Sequence, residues 1–149
     1  MEIERKFLVK KMPNLTNIVR VNIIQGYINY EPEVRIRKKD NRFYLTRKSL
    51  GTIERSEEDT EISEAAYNIL SSLVKSDLKK VRYLIPIKDN LTAELDIYQG
   101  KLKGLNIVEV EFTNEKEANM FKVPDWFGKE ITEDNYYKNQ NLSKLNKIF

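Results

Sequence analysis

Polar and apolar residues alternate with period two along most of this chain, the pattern of strands that bury one face. It predicts strands over 1–10, 20–30, 33–40, 42–49, 53–62, 78–88, 91–99 and 105–113. Asp40-Asn41 and Asp89-Asn90 have the chemistry of tight turns joining hairpins, and Gly100 to Gly104 supplies a looser connection. Elsewhere the period changes. Ala65, Ala66, Ile69, Leu70 and Leu73 fall at helical spacing and predict a helix over 63–74. Ser63 is its N-cap, with Ala66 where a capping-box acid would stand. A second helix is expected over 114–121, capped by Asn114 with Glu115 and Glu117 in its first turn. A short third helix is expected over 140–147. The sequence reads as one α+β domain, 1–149, with about eight mainly antiparallel strands.

The faces of those strands carry the chemistry. On the first, Glu2, Glu4 and Lys6 oppose Ile3, Phe7 and Val9. Arg35 and Arg37 oppose Val34 and Ile36, and Thr46 and Lys48 oppose Leu45. Glu57, Asp59 and Glu61 share one face. Further on, Lys80 and Arg82, then Glu94 and Asp96, then Glu109 and Glu111, each oppose apolar neighbours. An open sheet with one face in solvent is the simplest source of such alternation. Solvated faces usually mix Thr, Ser and Gln with charges, however, whereas nearly every position here is ionisable. The charges are also sorted by strand into pairs of bases and pairs or triples of acids. Eight strands suffice to close a barrel. With the apolar face packed outward against helices, the charged face becomes a lumen. Burying so many ions dry costs several kcal/mol per ion, so the lumen must be wet and must receive something that pairs with both signs. A phosphate chain satisfies Lys and Arg, while carboxylates hold divalent cations that bridge the phosphates.

Composition narrows the chemistry. The 149 residues include 26 basic and 23 acidic side chains, a net charge of +3, with 33% charged and 40% hydrophobic residues. A duplex-binding domain is normally more one-sidedly basic, so no specific nucleic-acid partner is expected. Without cysteine or histidine, disulfides, thiolate metal sites, cysteine nucleophiles and histidine bases are excluded. Catalysis is left to carboxylates, Lys, Arg, Tyr, Ser, Thr or a metal on oxygen ligands. No signal peptide and no run of membrane-spanning length is recognised, and a soluble, cytoplasmic protein is expected.

Glu2-Ile3-Glu4-Arg5-Lys6 fits the Glu-x-Glu-x-Lys signature of the CYTH, or triphosphate tunnel metalloenzyme, superfamily. The resemblance continues in order through Gln25-Gly26-Tyr27, Val34-Arg35-Ile36-Arg37 and Thr46-Arg47-Lys48. It then takes in the Glu57 to Glu61 acids, Lys80-x-Arg82, Glu94-Leu95-Asp96 and Glu109-Val110-Glu111-Phe112. It ends with Gly128 to Thr132 and Tyr137 to Leu142. This resemblance implies an eight-stranded antiparallel β-barrel, or tunnel, that handles a small-molecule triphosphate with Mg²⁺ or Mn²⁺. By the same likeness, Lys6, Arg35, Arg37, Lys80 and Arg82 bind the triphosphate. Glu2, Glu4, Glu109 and Glu111 are metal candidates, and Asp59, Glu61, Glu94 and Asp96 are candidates for a second metal or a water. Hard oxygen ligands suit Mg²⁺ or Mn²⁺. One metal and the basic residues would position the phosphates, and a second metal or a carboxylate, Glu61 among them, would activate the attacking water. Lys48 with Tyr27 is the other candidate acid or base.

Arg5, Lys10, Lys11, Lys38, Lys39, Arg47, Lys101 and Lys103 are read as ordinary surface charges. Arg55 is either a lumenal cation or a salt-bridge partner. Glu130 is placed as fixing the closing segment, Trp126 and Phe127 as a hydrophobic plug, and Tyr136 and Tyr137 as packing for the last helix. Hydrolysis of inorganic tripolyphosphate is the leading activity. The alternatives are an adenylyl cyclase of class IV, a thiamine triphosphatase, or a binding module without catalysis. The number of metals, the carboxylate serving each, and the oligomeric state stay open at this level.

Overall fold

A computed structural model of the chain describes residues 3–49 and 57–145. Its strands are β1 (Ile3–Val9), β2 (Val19–Asn29), β3 (Val34–Lys39), β4 (Arg42–Lys48), β5 (Glu57–Ile62), β6 (Ser76–Pro86), β7 (Thr92–Gln99), β8 (Asn106–Phe112) and β9 (Phe127–Glu130). They form one antiparallel sheet in the order β5-β4-β3-β2-β6-β7-β8-β1-β9. The eight expected strands are present, and the ends that fall within the described residues differ by a few positions. The ninth is new: at four residues it is too short to show a period of its own. The expected barrel therefore becomes a curled sheet of nine strands. Among the described residues no ladder joins its edges, because β9 occupies the free side of β1.

Turn chemistry works as the sequence predicts. Asp40 turns β3 into β4 at φ 54°, and Asp89 and Asn90 turn β6 into β7 at φ 63° and 59°. Asp and Asn tolerate this left-handed region better than most residues. The helices are α1 (Glu64–Ser71), α2 (Glu115–Met120) and α3 (Asn139–Ser143). Ser63 Oγ accepts from the Ala66 amide at 3.1 Å and starts α1. Asn114 Oδ1 accepts from the Glu117 amide at 2.8 Å, and the Glu117 carboxylate accepts in return from the Thr113 amide at 3.0 Å. This exchange satisfies amides that the first turn of α2 leaves without helical partners.

The apolar strand faces pack outward, as expected. Phe7, Leu95, Val108, Val110 and Phe112 form a buried cluster covered by Ala118 of α2, Phe127 and the half-buried Phe121 and Trp126. Trp126 thus packs within the outer core. A second cluster lies on the opposite, otherwise charged, faces. Leu78, Tyr98 and Ile107 share strand parity with Lys80, Asp96 and Glu109, and Leu8 with Lys6. They pack with Leu102, Leu105, Ile131, Tyr137 and Leu142 of α3. The lumen is charged over most of its length and apolar where these residues meet. Tyr136 is exposed instead, edge-on to Tyr137.

The free side of β1 is closed by backbone contact with β9. A Cβ on Gly128 would stand 3.1 Å from the Leu8 carbonyl oxygen and 3.2 Å from the Lys10 nitrogen. Arg5 reinforces this edge, donating to both Glu130 oxygens at 3.0 and 2.7 Å and to the Ala118 carbonyl at 2.9 Å. Arg5 is therefore no ordinary surface charge, whereas Glu130 fixes the closing segment as expected. Since backbone cannot yield to the added methyl, Gly128→Ala is expected to cost about 1–3 kcal/mol, read as a lowered urea midpoint with an unchanged m-value.

Candidate functional site

The curl of the sheet brings the charged faces around one cavity of about 670 Å³. Strands β1 to β8 contribute through alternate residues: Glu4 and Lys6 from β1, Gln25 and Tyr27 from β2, Arg35, Arg37 and Lys39 from β3, Lys48 from β4 and Glu57 and Asp59 from β5. Lys80 and Arg82 come from β6, Glu94 from β7, and Glu109 and Glu111 from β8. Tyr30, Glu31, Glu33, Ser49 and the segment from Ile131 to Gln140 complete the wall. Across the sheet the signs are grouped. Acids stand on β5, bases on β4 and β3, bases again on β6, acids on β7 and β8, and one of each on β1.

Opposite charges hold one another in place beneath this surface. The register sets Arg82 opposite Asp96, and Lys80 is two residues away on the same face. Asp96 accepts from Arg82 through both oxygens, at 2.8 and 3.0 Å, and pairs with the Lys80 ammonium at 2.8 Å. Burial alone would raise the Asp96 pKa, but the two cations overcome it and hold the carboxyl down to about 2. Lys80 is pushed down to about 8, first by burial and then by Arg82, with Asp96 offsetting part of the loss. Two cations share one carboxylate, and the bidentate Arg82 takes the larger share. Burial opposes the charge on Arg82 too, yet Asp96 and Glu94 raise its pKa above the usual arginine value. Glu94 lies 3.2 Å from Arg82, and its own pKa is raised by burial and by Glu109 and Asp96 against the pull of Arg82.

On the neighbouring wall Arg35 meets Glu33 at 2.6 Å and Glu57 at 3.2 Å, while Arg37 lies 3.8 Å from Asp59. Both arginines keep a buried Nε–H that no protein acceptor meets. Burial, followed by the nearness of Arg35, lowers the pKa of Arg37. Such donors, held at a polar cavity wall, fit an anion with several oxygens. The opposite wall fits a hard cation. Glu4, Glu109 and Glu111 place one carboxylate oxygen each within 4.8 Å of one another, because the β1–β8 register sets Glu4 against Glu111 and Lys6 against Glu109.

Most of the residues singled out by sequence face this cavity. Lys6, Arg35, Arg37, Lys80, Arg82, Lys48, Tyr27, Glu4, Asp59, Glu94, Glu109 and Glu111 all line it. Two do not. Glu61 lies near the end of β5, where Arg42 holds it at 2.7 Å on the exposed surface. Asp96 is locked between Lys80 and Arg82 below the wall, a counter-ion rather than an open ligand. Glu2 and Arg55 fall outside the described residues. Lys39, expected on the surface, lines the cavity, and burial followed by Arg37 and Arg82 lowers its pKa. Lys101 is not free either, since its ammonium donates to the Ser143 carbonyl of α3. Tyr27 is buried, and its hydroxyl accepts from the Gln25 amide at 2.6 Å. Burial and the charge on Glu33 push its pKa up to about 12.

Glu33 and Gln140 were missing from the sequence-based set. Glu33 has the same strand parity as Arg35 and Arg37, a signal that points to it. Gln140 has no strand parity to place it; it lies within the Tyr137 to Leu142 stretch of the resemblance, and only the tertiary fold brings α3 to the cavity.

The folded pKa of Asp96 lies below the ordinary 3.8, so its stabilisation is complete above about pH 4 and is lost as pH falls through 2. Asp96→Asn removes that contribution and leaves two cations buried without their partner. It is expected to cost about 3–5 kcal/mol at pH 7, measured by chemical denaturation. The variant should also lose less stability than the parent between pH 4 and pH 2.

Comparison with known proteins agrees with this arrangement. The CYTH domain model matches residues 1–147. An inorganic triphosphatase of Nitrosomonas europaea is 37% identical over 146 residues, covering 95% of this chain and 96% of the relative. One from Acetivibrio thermocellus is 38% identical over 148 residues, covering 96% and 93%. The crystal structure of the inorganic triphosphatase NE1496 superposes with a TM-score of 0.77 at 35% identity, covering 96% of this chain and 94% of that one. Likeness to adenylyl cyclase-like proteins is one of fold alone, as with the Hippeastrum protein HpAC1 at 16% identity and a TM-score of 0.52 over 80% of this chain and 83% of that one. With the family model spanning nearly its whole length, this chain belongs to the CYTH family.

Proposed function

We propose that this protein hydrolyses an inorganic triphosphate, with tripolyphosphate as its substrate and pyrophosphate and phosphate as products. The observation that carries the reading is the division of one cavity into a basic wall with unpartnered arginine donors and an acidic wall with three convergent carboxylates. The 35–38% identity to inorganic triphosphatases over most of the chain supports it. Tyr27, Tyr30 and Ile131 are the only apolar or aromatic side chains among the described lining residues, and Tyr27 is only 1% exposed. A cavity so poor in apolar surface offers little to a nucleotide base or a thiazole ring, and this favours an inorganic chain over ATP or thiamine triphosphate.

In this reading Arg35, Arg37, Lys80, Arg82, Lys39 and Lys6 bind the phosphate oxygens and spread positive charge along the chain. Glu4, Glu109 and Glu111 would hold Mg²⁺ or Mn²⁺, which would supply Lewis acidity toward the phosphates. Water adds to the terminal phosphorus, the bridging P–O bond breaks, and pyrophosphate leaves with the electron pair. A lumenal carboxylate takes the proton of the water. Tyr27 stays protonated in the neutral range and serves as a fixed donor. Lys48 contributes charge on the basic wall.

Incubation with Mg²⁺ or Mn²⁺ and either tripolyphosphate or ATP distinguishes the activities. Phosphate plus pyrophosphate from tripolyphosphate, lost on chelation and restored by added metal, is the expected result. Cyclic AMP from ATP would point to a cyclase, and tight binding of both without turnover to a binding module. Glu4→Gln should abolish metal-dependent turnover while the protein remains folded by circular dichroism. Arg37→Ala should raise KM roughly 10- to 100-fold, the loss expected for a charge-assisted hydrogen bond of about 1.5–3 kcal/mol.

A further inference from the structure

Glu33 is an acid on a basic wall, and its contacts explain why an anion-binding cavity keeps it there. It lies just before β3, with its side chain only 13% exposed. One carboxylate oxygen accepts from Arg35 Nη1 at 2.6 Å and lies 3.3 Å from the Lys48 ammonium of β4. The other accepts from Gln140 Nε2 of α3 at 3.3 Å. The same Gln140 amide donates to the Tyr30 carbonyl at 2.8 Å. The Glu33 carbonyl also accepts the Lys48 amide at 3.0 Å, so backbone and side chain both fix the same pair of strands. One carboxylate thus joins two strands and the terminal helix at a single point of the cavity wall.

The geometry points to Glu33 as a positioning residue for the reaction proposed above, on which this inference rests: it aims Arg35 and Lys48 at the substrate and couples their placement to α3. The state of Arg35 carries the argument. Glu33 takes one N–H of Nη1 and Glu57 one N–H of Nη2, and the buried Nε–H meets no protein acceptor. A guanidinium clamped at both terminal nitrogens is fixed in plane, so the N–H groups it presents to the cavity need little reorientation when an oxyanion arrives. Both oxygens of Glu33 are engaged by protein donors, so it holds cations of the wall rather than a metal. Its negative charge opposes ground-state binding of a polyanion, and what it contributes is orientation.

Three variants test this: Glu33→Gln keeps the volume and a neutral acceptor, Glu33→Asp keeps the charge at shorter reach, and Gln140→Ala cuts only the link to α3. Tripolyphosphate turnover is measured with Mg²⁺, its binding by calorimetry, and the Arg35 Nε–H by NMR. In Glu33→Gln, kcat is expected to fall roughly 10- to 100-fold while KM and Kd stay constant or decrease. The Arg35 Nε–H signal should broaden or shift with or without substrate. Glu33→Asp should recover part of kcat, and Gln140→Ala should lower it a few-fold without raising KM. Unchanged kcat with tighter binding would overturn the proposal, leaving only a charge effect. So would a lowered Tm with normal kcat and an unmoved Arg35 signal, the mark of a purely structural role. If the parent protein binds tripolyphosphate but does not turn it over, the hydrolytic reading fails. The Arg35 signal then still decides whether Glu33 orders the guanidinium. Should Glu33→Gln not fold, Glu33→Asp and Gln140→Ala decide the matter, and normal kcat in both would contradict the positioning role.

Discussion

A lumen lined by ionisable groups must neutralise itself when empty and still leave donors for a ligand. The Lys80–Asp96–Arg82 triad meets the first demand. Its carboxylate lies within 3.0 Å of both cations and is almost fully enclosed. Breaking such a group costs more than any surface ion pair because the partners left behind cannot reach water. Arg35 and Arg37 meet the second demand, each partly paired and each retaining a buried N–H. The strand order makes both possible by placing bases between two acidic flanks and curling the whole around one space.

Closure of that space does not rely on a continuous hydrogen-bonded barrel. One edge of the sheet is β5, the other is the short β9 laid against β1 through Gly128. Apolar residues occupy the same strand faces as the charges where Leu8, Leu78, Tyr98 and Ile107 meet Leu142 of α3. Desolvation is therefore greatest near that end. Glu57 and Asp59, on the β5 edge, stay substantially exposed with side chains at 38% and 44%. This gradient in burial explains why Lys80, Arg82 and Asp96 are strongly perturbed.

Much of the fold was legible because period-two alternation is a direct consequence of strand geometry. The same parity assigned the lumenal face of β1, β3, β6, β7 and β8 before any coordinates. Asp40, Asp89 and Asn90 marked turns through their tolerance of positive φ, and Ser63 and Asn114 marked helix starts through capping. Apart from Lys39, what failed was what parity cannot report. It placed Glu61 with Asp59 but not its distance from the cavity along β5, where Arg42 claims it. It put Asp96 on the right face without the information that Lys80 and Arg82 converge on it. Lys39 was set among surface charges although its parity matches Arg35 and Arg37. Arg5, Gln140 and β9 depend on contacts over more than a hundred positions of sequence, which no local pattern encodes. The resemblance to the CYTH family supplied the substrate class that physics alone left as a polyanion with cations.

In the proposed reaction the two walls act on one ligand, phosphate oxygens on the arginines and a divalent cation on the glutamates. A crystal structure with tripolyphosphate and Mn²⁺, recorded with anomalous scattering from the metal, addresses it most directly. An anomalous peak is expected among Glu4, Glu109 and Glu111, with phosphate oxygens reaching both that metal and the guanidinium N–H groups of Arg35 and Arg37. Metal or polyphosphate bound only outside the lumen, with those arginine donors turned to protein acceptors, would contradict it.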